Sequence, residues 1–256
     1  MITLGPDALA AGHRIEQVPT IGSTNAVLVE RAIKGETGPL WLVADRQEQG
    51  RGRNARSWSS PEGNLYASLL LKDPAPAAHV AELSFVLSLA LRDAVLAASG
   101  LAESDVLALK WPNDLMAEGR KTAGLLLEGG QAQGRAFVVA GFGVNIVSHP
   151  QGTTHPATNL TAAGFSLHRD RLAVSLADAV ARRVAEWARG ESFAAIRAAW
   201  LKAAHGLGAT LRVNTVAESF EGTFDTIDPA GRLVVITPTG NRLVSAGDVF
   251  VLGTAA

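Results

Sequence analysis

The apolar positions of this chain fall into strand-length and helix-length patterns. A run at 13–18 predicts a first strand. Residues 26–33 then carry apolar positions at helical spacing, with Ser23 placed to cap the helix and Gly35 to end it. Short apolar runs at 40–44 and 65–71 predict buried strands, with turn residues Pro61, Gly63 and Asn64 before the second and Pro74 and Pro76 after it. The most apolar stretch, 80–98, is interrupted by Glu82, Arg92 and Asp93 and stops near Gly100. It reads as a long buried helix, not a membrane span. Runs at 106–111 and 135–144 predict two more strands, the first stopped by the turn Pro112-Asn113-Asp114. Between them, 115–117 and 121–128 read as the arms of a hairpin around Glu118-Gly119-Arg120. Residues 148–165, with Pro150, Gly152 and Pro156, are loop-like. Three-to-four spacing predicts helices over 170–187 and 192–204.

After Gly206 the texture changes. Five short strand-like runs follow, separated by Gly222, Asp228-Pro229, Gly231, Gly240 and Gly247, a spacing that predicts a small all-β barrel or sandwich. The expected organisation is a first domain over 1–206 and a small β domain over 207–256. The fold class expected is α+β, with a mixed, mainly antiparallel sheet backed by helices in the first domain.

Composition narrows the function classes. The 256 residues are 47% hydrophobic, enough for a sizeable core, and the net charge of −1 gives no global pull toward nucleic acid or membrane. The absence of cysteine excludes disulfides and thiolate metal sites and fits a reducing, cytoplasmic setting. No basic segment followed by an apolar one opens the chain, so no signal peptide is expected. His13, His79, His149, His155, His168 and His205 show no metal-ligand spacing, and His149 and His155 read as surface residues.

Candidate chemistry concentrates in residues 44–58, ADRQEQGRGRNARSW, with Arg46, Arg51, Arg53, Arg56, Gly50, Gly52 and Trp58. Arginine forks suit carboxylates and phosphates, and glycines between them let the backbone approach a ligand. A solvated basic loop explains the same residues. The stretch is neither a Walker loop nor a dinucleotide fingerprint. Lys110-Trp111-Pro112-Asn113-Asp114 delivers a cation, an amide and a carboxylate to the end of an apolar strand; an ordinary Asn-Asp turn is the alternative. Lys121-Thr122-Ala123-Gly124 opens the next strand, which runs to Glu128, and Gly124 marks either a close approach or a bulge. Gly141-Phe142-Gly143-Val144-Asn145 reads as strand glycines at a sheet crossing, with Asn145 as a turn residue.

In order, these motifs resemble the biotin protein ligases: Ser23-Thr24-Asn25, Gln47 before Gly50-Arg51-Gly52-Arg53 and Trp58, Lys-Trp-Pro-Asn-Asp, Lys-x-Ala-Gly-Leu-Leu-Leu-Glu and Gly-x-Gly-x-Asn. The likeness runs from Ser23 to Asn145 and resumes more loosely through Gly222, Asp228, Gly231 and Gly240. It implies a class II synthetase-like catalytic domain with a C-terminal SH3-like barrel. It implies activation of biotin with ATP and Mg²⁺ to biotinyl-5′-AMP, then transfer to a lysine of a biotin carboxyl carrier domain. By the resemblance Ser23, Thr24, Asn25, Gln47, Arg51, Gly52, Arg53, Lys121 and Gly124 address biotin. Arg51, Arg53, Trp58, Asn113 and Asn145 address the adenylate. Arg51, Lys121, Lys110 and Asp114 form the catalytic set, with Asp114 the candidate Mg²⁺ ligand. The family pattern Arg-Gly-Arg-x-Gly-Arg-x-Trp has Ala55 at its second glycine here, so altered loop closure and adenylate retention are expected.

Some relatives carry an N-terminal winged-helix domain. About 22 residues precede Ser23, too few for one, so a ligase without DNA binding is expected; a homodimer is left open. Two alternatives stand beside this reading. A lipoate–protein ligase would bind lipoate in place of biotin in calorimetry. A non-catalytic biotin or adenylate sensor would release no pyrophosphate from ATP.

Overall fold

The computed structural model describes residues 2–153 and 156–252, without the side chain of Ala55. The surface reading of His155 therefore lies outside the described residues. The chain opens with a short helix, α1 (Pro6–Ala10), whose proline occupies the first turn, where its missing N–H costs nothing. Then follow β1 (Arg14–Ile21), α2 (Thr24–Ile33), β2 (Leu40–Gln47), β3 (Leu65–Lys72), α3 (Leu83–Ser99), β4 (Leu107–Lys110), β5 (Asp114–Ala117), β6 (Arg120–Ala132), β7 (Arg135–Val144), α4 (Arg169–Trp187) and α5 (Phe193–Lys202). Five short strands complete the chain: β8 (Thr210–Asn214), β9 (Ser219–Ile227), β10 (Leu233–Thr237), β11 (Gly240–Val244) and β12 (Asp248–Val251).

The first seven strands form one sheet in the order β1-β2-β3-β7-β6-β5-β4. Among the described residues β1 and β2 are its parallel pair, and the other neighbours are antiparallel. The mixed, mainly antiparallel expectation is borne out. Pro19, which has no N–H to give a ladder, lies in the edge strand β1. Alternation sorts the side chains of the central strands. Trp41, Val43, Leu69 and Leu71 join the large core with α3 and α4, while Leu40, Leu42 and Leu70 join a smaller cluster with Leu28 and Ala32 of α2. Ser68 shares the strand face of Leu70 and so meets the start of α2. Gly100, at φ +74°, ends α3 in the left-handed conformation that glycine adopts without strain. No helix among the described residues is long and apolar enough to cross a membrane.

The last five strands form an antiparallel sheet in the order β11-β10-β9-β8-β12. It is not a satellite on a tether. The large core extends without a break from Leu69 and Trp111 to Leu211, Phe224 and Val235. Phe85 of α3 packs edge-on against Phe193 and Trp200 of α5, and the Trp111 indole donates to the Gly231 carbonyl at 3.3 Å. The segment after α5 also bonds along β4: Leu109 N–H donates to Ala203 O and His205 N–H to Leu109 O. That pairing covers the edge of the first sheet and carries the chain into β8.

Candidate active site

One face of the first sheet opens into a cleft of about 440 Å³. Its floor is Gly124 and Leu126 of β6 with Gly141 and Gly143 of β7. One end is formed by the start of α2 and the end of β2, and the rim by residues 51–59 together with Asp248 of β12.

The α2 end is buried and polar. Ser23 caps the helix, its Oγ accepting from Ala26 N–H at 3.4 Å, which leaves Thr24 and Asn25 facing the sheet. Thr24 directs its N–H and its hydroxyl at Gln47 Oε1, at 2.9 and 3.0 Å, and Gln47 donates onward to Ser60 Oγ at 3.1 Å. Ser68 Oγ lies 2.5 Å from Asn25 Oδ1 and 2.7 Å from Thr24 Oγ1. Asn25 Oδ1 is an acceptor only, so the Ser68 proton goes to it. The single Thr24 proton then serves either Ser68 or Gln47, and this hydroxyl can turn between them. Asn25 Nδ2 donates to Leu126 O at 3.3 Å and Glu128 Oε2 at 2.9 Å. A Cβ on Gly141 would stand 2.3 Å from Asn25 Oδ1, and one on Gly143 would stand 2.5 Å from the Trp58 indole. Both glycines are therefore close-approach positions, a role that their reading as ordinary strand glycines had not given them.

The Arg-Gly stretch is a small hairpin. Trp58 N–H donates to Gly50 O at 2.9 Å and Gly52 N–H to Arg56 O at 2.8 Å. Asn54, at φ +54°, supplies a left-handed residue at its tip, a conformation asparagine tolerates better than most. It directly precedes Ala55, whose side chain is outside the described residues. Each arginine of the hairpin reaches a partner elsewhere. Arg51 Nη2 lies 3.3 Å from both Glu128 oxygens, Arg53 Nη1 donates to Asn113 Oδ1 at 3.2 Å, and Arg56 Nη2 to Asp248 Oδ2 at 2.5 Å. Lys121 Nζ sits 2.6 Å from Asp114 Oδ1 and 5.5 Å from the Trp58 ring centre. An incoming anion thus finds fixed cations already balanced by protein oxygens. The Trp58 indole N–H is buried without a hydrogen-bond partner among the described residues. Such an orphan donor costs about 1–3 kcal/mol unless an acceptor meets it.

Of the residues singled out in the sequence, Ser23, Thr24, Asn25, Gln47, Arg51, Gly52, Arg53, Trp58, Asn113, Asp114, Lys121, Gly124 and Asn145 all line this cleft. Asn113 and Asn145 have structural ties as well. Asn113 Nδ2 donates to Leu125 O, and Asn145 donates to Thr158 O at 3.1 Å. Lys110 differs: it is buried but does not line the cleft, and its Nζ lies 5.6 Å from the Phe250 ring of β12. Burial pushes its pKa down, Asp114 and Asp248 oppose that shift and Lys121 adds to it. An ammonium delivered by the apolar run Leu107-Ala108-Leu109 is covered by the second sheet.

Sequence reasoning missed Ser68, Ser60 and Asp248, and gave Arg56 and Glu128 no ligand role. Ser68 carried a signal: a hydroxyl in an otherwise apolar buried strand must find a partner. Asp248 carried none, because only tertiary packing brings it to Arg56. Among the described residues no group of three or more His, Asp or Glu could hold an ion by itself. Asp114 and Asp248 are the carboxylates lining the cleft.

The fold and this cleft define a class. Residues 18–145 match the Biotin/lipoate A/B protein ligase family, and residues 207–252 match the Biotin protein ligase C terminal domain. The chain belongs to the biotin/lipoate A/B protein ligase family. It is 38% identical to a biotin–[acetyl-CoA-carboxylase] ligase of Paracoccus denitrificans, over 90% of this chain and 98% of that protein. A biotin protein ligase from Leishmania major, solved with biotinyl-5-AMP, is 26% identical with a TM-score of 0.68, covering 91% of this chain and 99% of that one. The Aquifex aeolicus biotin protein ligase, solved with biotin and ATP, shares the fold at a TM-score of 0.79 and 22% identity, covering 93% and 99%.

Proposed function

We propose that the protein activates biotin with ATP, giving biotinyl-5′-AMP and pyrophosphate, and passes biotin to a lysine of a biotin carboxyl carrier domain. The observation that carries this reading is the meeting of two environments in one cleft. A buried polar end built from Thr24, Asn25, Gln47 and Ser68 adjoins the cations Arg51, Arg53, Arg56 and Lys121.

In the first step a biotin carboxylate oxygen attacks the α-phosphorus, and the bond to the β-phosphate oxygen breaks. Anion meets anion, so the barrier depends on cations fixed before the reaction. Lys121 and Arg51 take that role. Asp114 and the Trp58 ring hold the Lys121 ammonium in place. Ser23, Thr24, Asn25 and Gln47 hydrogen-bond the biotin head. Gly52 and Gly124 admit the ligand closely; a Cβ on Gly124 would stand 3.1 Å from Lys121 Nζ. Arg53, Trp58, Asn113 and Asn145 address the adenylate, and the unmatched Trp58 N–H is suited to an acceptor there. Asp114 is the residue that would hold Mg²⁺ brought in with ATP, and the ion would add positive charge at the phosphates. A site without a carboxylate cage suits an ion held mainly by phosphates. In the second step the lysine amine attacks the anhydride carbonyl and AMP leaves. The 50–58 hairpin is the lid that limits hydrolysis in between.

Residues 1–206 form the catalytic unit and 207–256 the small β unit, a division supported by the change from helices to short antiparallel strands at Thr210. The second unit completes the first, since β12 brings Asp248 to the rim. The test is pyrophosphate release from ATP and Mg²⁺. The expected outcome is release that requires biotin and falls roughly 10²–10³-fold in Lys121→Ala. Release driven by lipoate and not by biotin would transfer the assignment to the lipoate ligases; no release with either would remove the enzyme reading.

A further inference from the structure

We infer that Glu128 is a positioning residue that couples the biotin end of the cleft to closure of the arginine lid. The inference rests on the ligase reading above. Glu128 lies on β6, on the strand face of Gly124 and Leu126, which line the cleft. Its carboxylate has two partners from separate parts of the fold. Oε2 accepts from Asn25 Nδ2 at 2.9 Å, and both oxygens lie 3.3 Å from Arg51 Nη2.

Those partners differ in freedom. Asn25 is buried, held by Ser68 and Leu126, and seated over Gly141, the register partner of Leu126. Arg51 belongs to the exposed hairpin, whose backbone bonds run mostly within itself. The carboxylate thus ties the lid to a fixed point of the biotin end. When biotin engages Asn25, the amide that orients Glu128 is fixed more firmly, and Glu128 in turn fixes the guanidinium of Arg51. No bond is made or broken at Glu128, and its contribution passes through Asn25 and Arg51.

Glu128→Gln separates this role from simple support of the sheet. Its amide oxygen still accepts from Asn25, but the charge that holds Arg51 is gone. The experiment loads wild-type protein, Glu128→Gln and Glu128→Ala with biotin and ATP and follows three readouts: pyrophosphate release, the KM for biotin, and escape of biotinyl-5′-AMP at low and high salt. In Glu128→Gln adenylate escape should rise about two- to fivefold at low salt, the range of a partly exposed ion pair, and the biotin KM should rise by no more than the same factor, because a coupling lost from the lid is lost from biotin binding as well. Raising the salt should bring wild type toward the variant and move the variant less, through the Arg56–Asp248 pair that it keeps. Glu128→Ala should raise the biotin KM further, because Asn25 Nδ2 loses an acceptor that Gln keeps. Wild-type escape rates in Glu128→Gln at low salt would overturn the inference while leaving the ligase reading intact. No biotin-dependent pyrophosphate from wild type would overturn the reading on which both rest.

Discussion

Lys121 is held from three directions. Asp114 pairs with its ammonium, Trp58 presents a ring to it, and its backbone is pinned by bonds to Pro156 O and from Thr158 N–H at 2.8 and 2.9 Å. Preorganisation of this kind supports the catalytic role proposed for Lys121. The lysine was legible from its motif, Lys121-Thr122-Ala123-Gly124, and not from strand alternation, which puts it out of step with Gly124 and Glu128; the register shifts between Leu115 and Met116, opposite this stretch. Ser68 shows the opposite case. Its neighbours made β3 read as plain core, yet its hydroxyl organises Asn25. Ser68→Ala leaves Asn25 Oδ1 without its buried donor, at a cost of about 1–3 kcal/mol. Biotin affinity measured by calorimetry should therefore fall at least about fivefold, and unchanged affinity would remove Ser68 from the site. Ala55→Gly should change the rate at which biotinyl-5′-AMP leaves, since the residue follows the left-handed Asn54; identical off-rates would show that the departure from the family glycine is silent.

At the scale of elements, periodicity found most of the strands and helices and misplaced several ends. β2 continues to Gln47 beyond its apolar run because its last three residues are polar: Asp45 pairs with Arg169, Arg46 is exposed and Gln47 lines the cleft. β6 continues past Glu128 through Gly129, Gly130 and Gln131, a polar hairpin arm with no apolar signal. The helix read over 80–98 begins as a 3₁₀ segment through Glu82 and becomes α-helical at Leu83. The first helix escaped notice because five residues give too little periodicity. Parallel pairing of β1 with β2 was also invisible, since it depends on where α2 returns the chain. The glycines of β7 are the element-level feature that shapes the cleft. Gly143→Ala should push the Trp58 indole out of place and lower adenylate formation by roughly tenfold or more, as misplacement near a reacting group does. Gly129→Ala on β6 meets ordinary contacts, with Phe137 O at 3.5 Å, and should leave the rate unchanged. Equal effects of the two would show that the glycines serve the sheet and not the cleft.

Across the whole molecule, the two sheets share one apolar core, and the short arm of β12 reaches the 50–58 hairpin through Asp248 and Arg56. The sequence marked the change of texture at Gly206 but not this contact, which joins residues 192 positions apart. A buried histidine, His13, and a half-buried one, His205, make the assembly sensitive to acid. His13 accepts from the Trp41 indole through Nδ1 at 3.0 Å, and burial lowers its pKa against an opposing pull from Asp178. His205 is lowered by burial and by Lys110. A lowered folded pKa means the unfolded chain takes up protons first. These groups therefore leave stability intact above the ordinary histidine value of 6.5 and lose it progressively as pH falls below that value toward the folded pKa. Thermal melts between about pH 7.5 and pH 5.5 should show the midpoint falling with acid, with a smaller fall in His13→Asn; equal falls in the two would exclude His13 as a cause. The central claim concerns the cleft as a whole, and mass spectrometry of a biotin carboxyl carrier domain tests it most directly. Mixed with this protein, biotin, ATP and Mg²⁺, the carrier should gain one biotinyl group on a single lysine, and the gain should vanish in Lys121→Ala. A carrier that gains nothing from wild-type protein, or gains a lipoyl group when lipoate replaces biotin, would contradict the account.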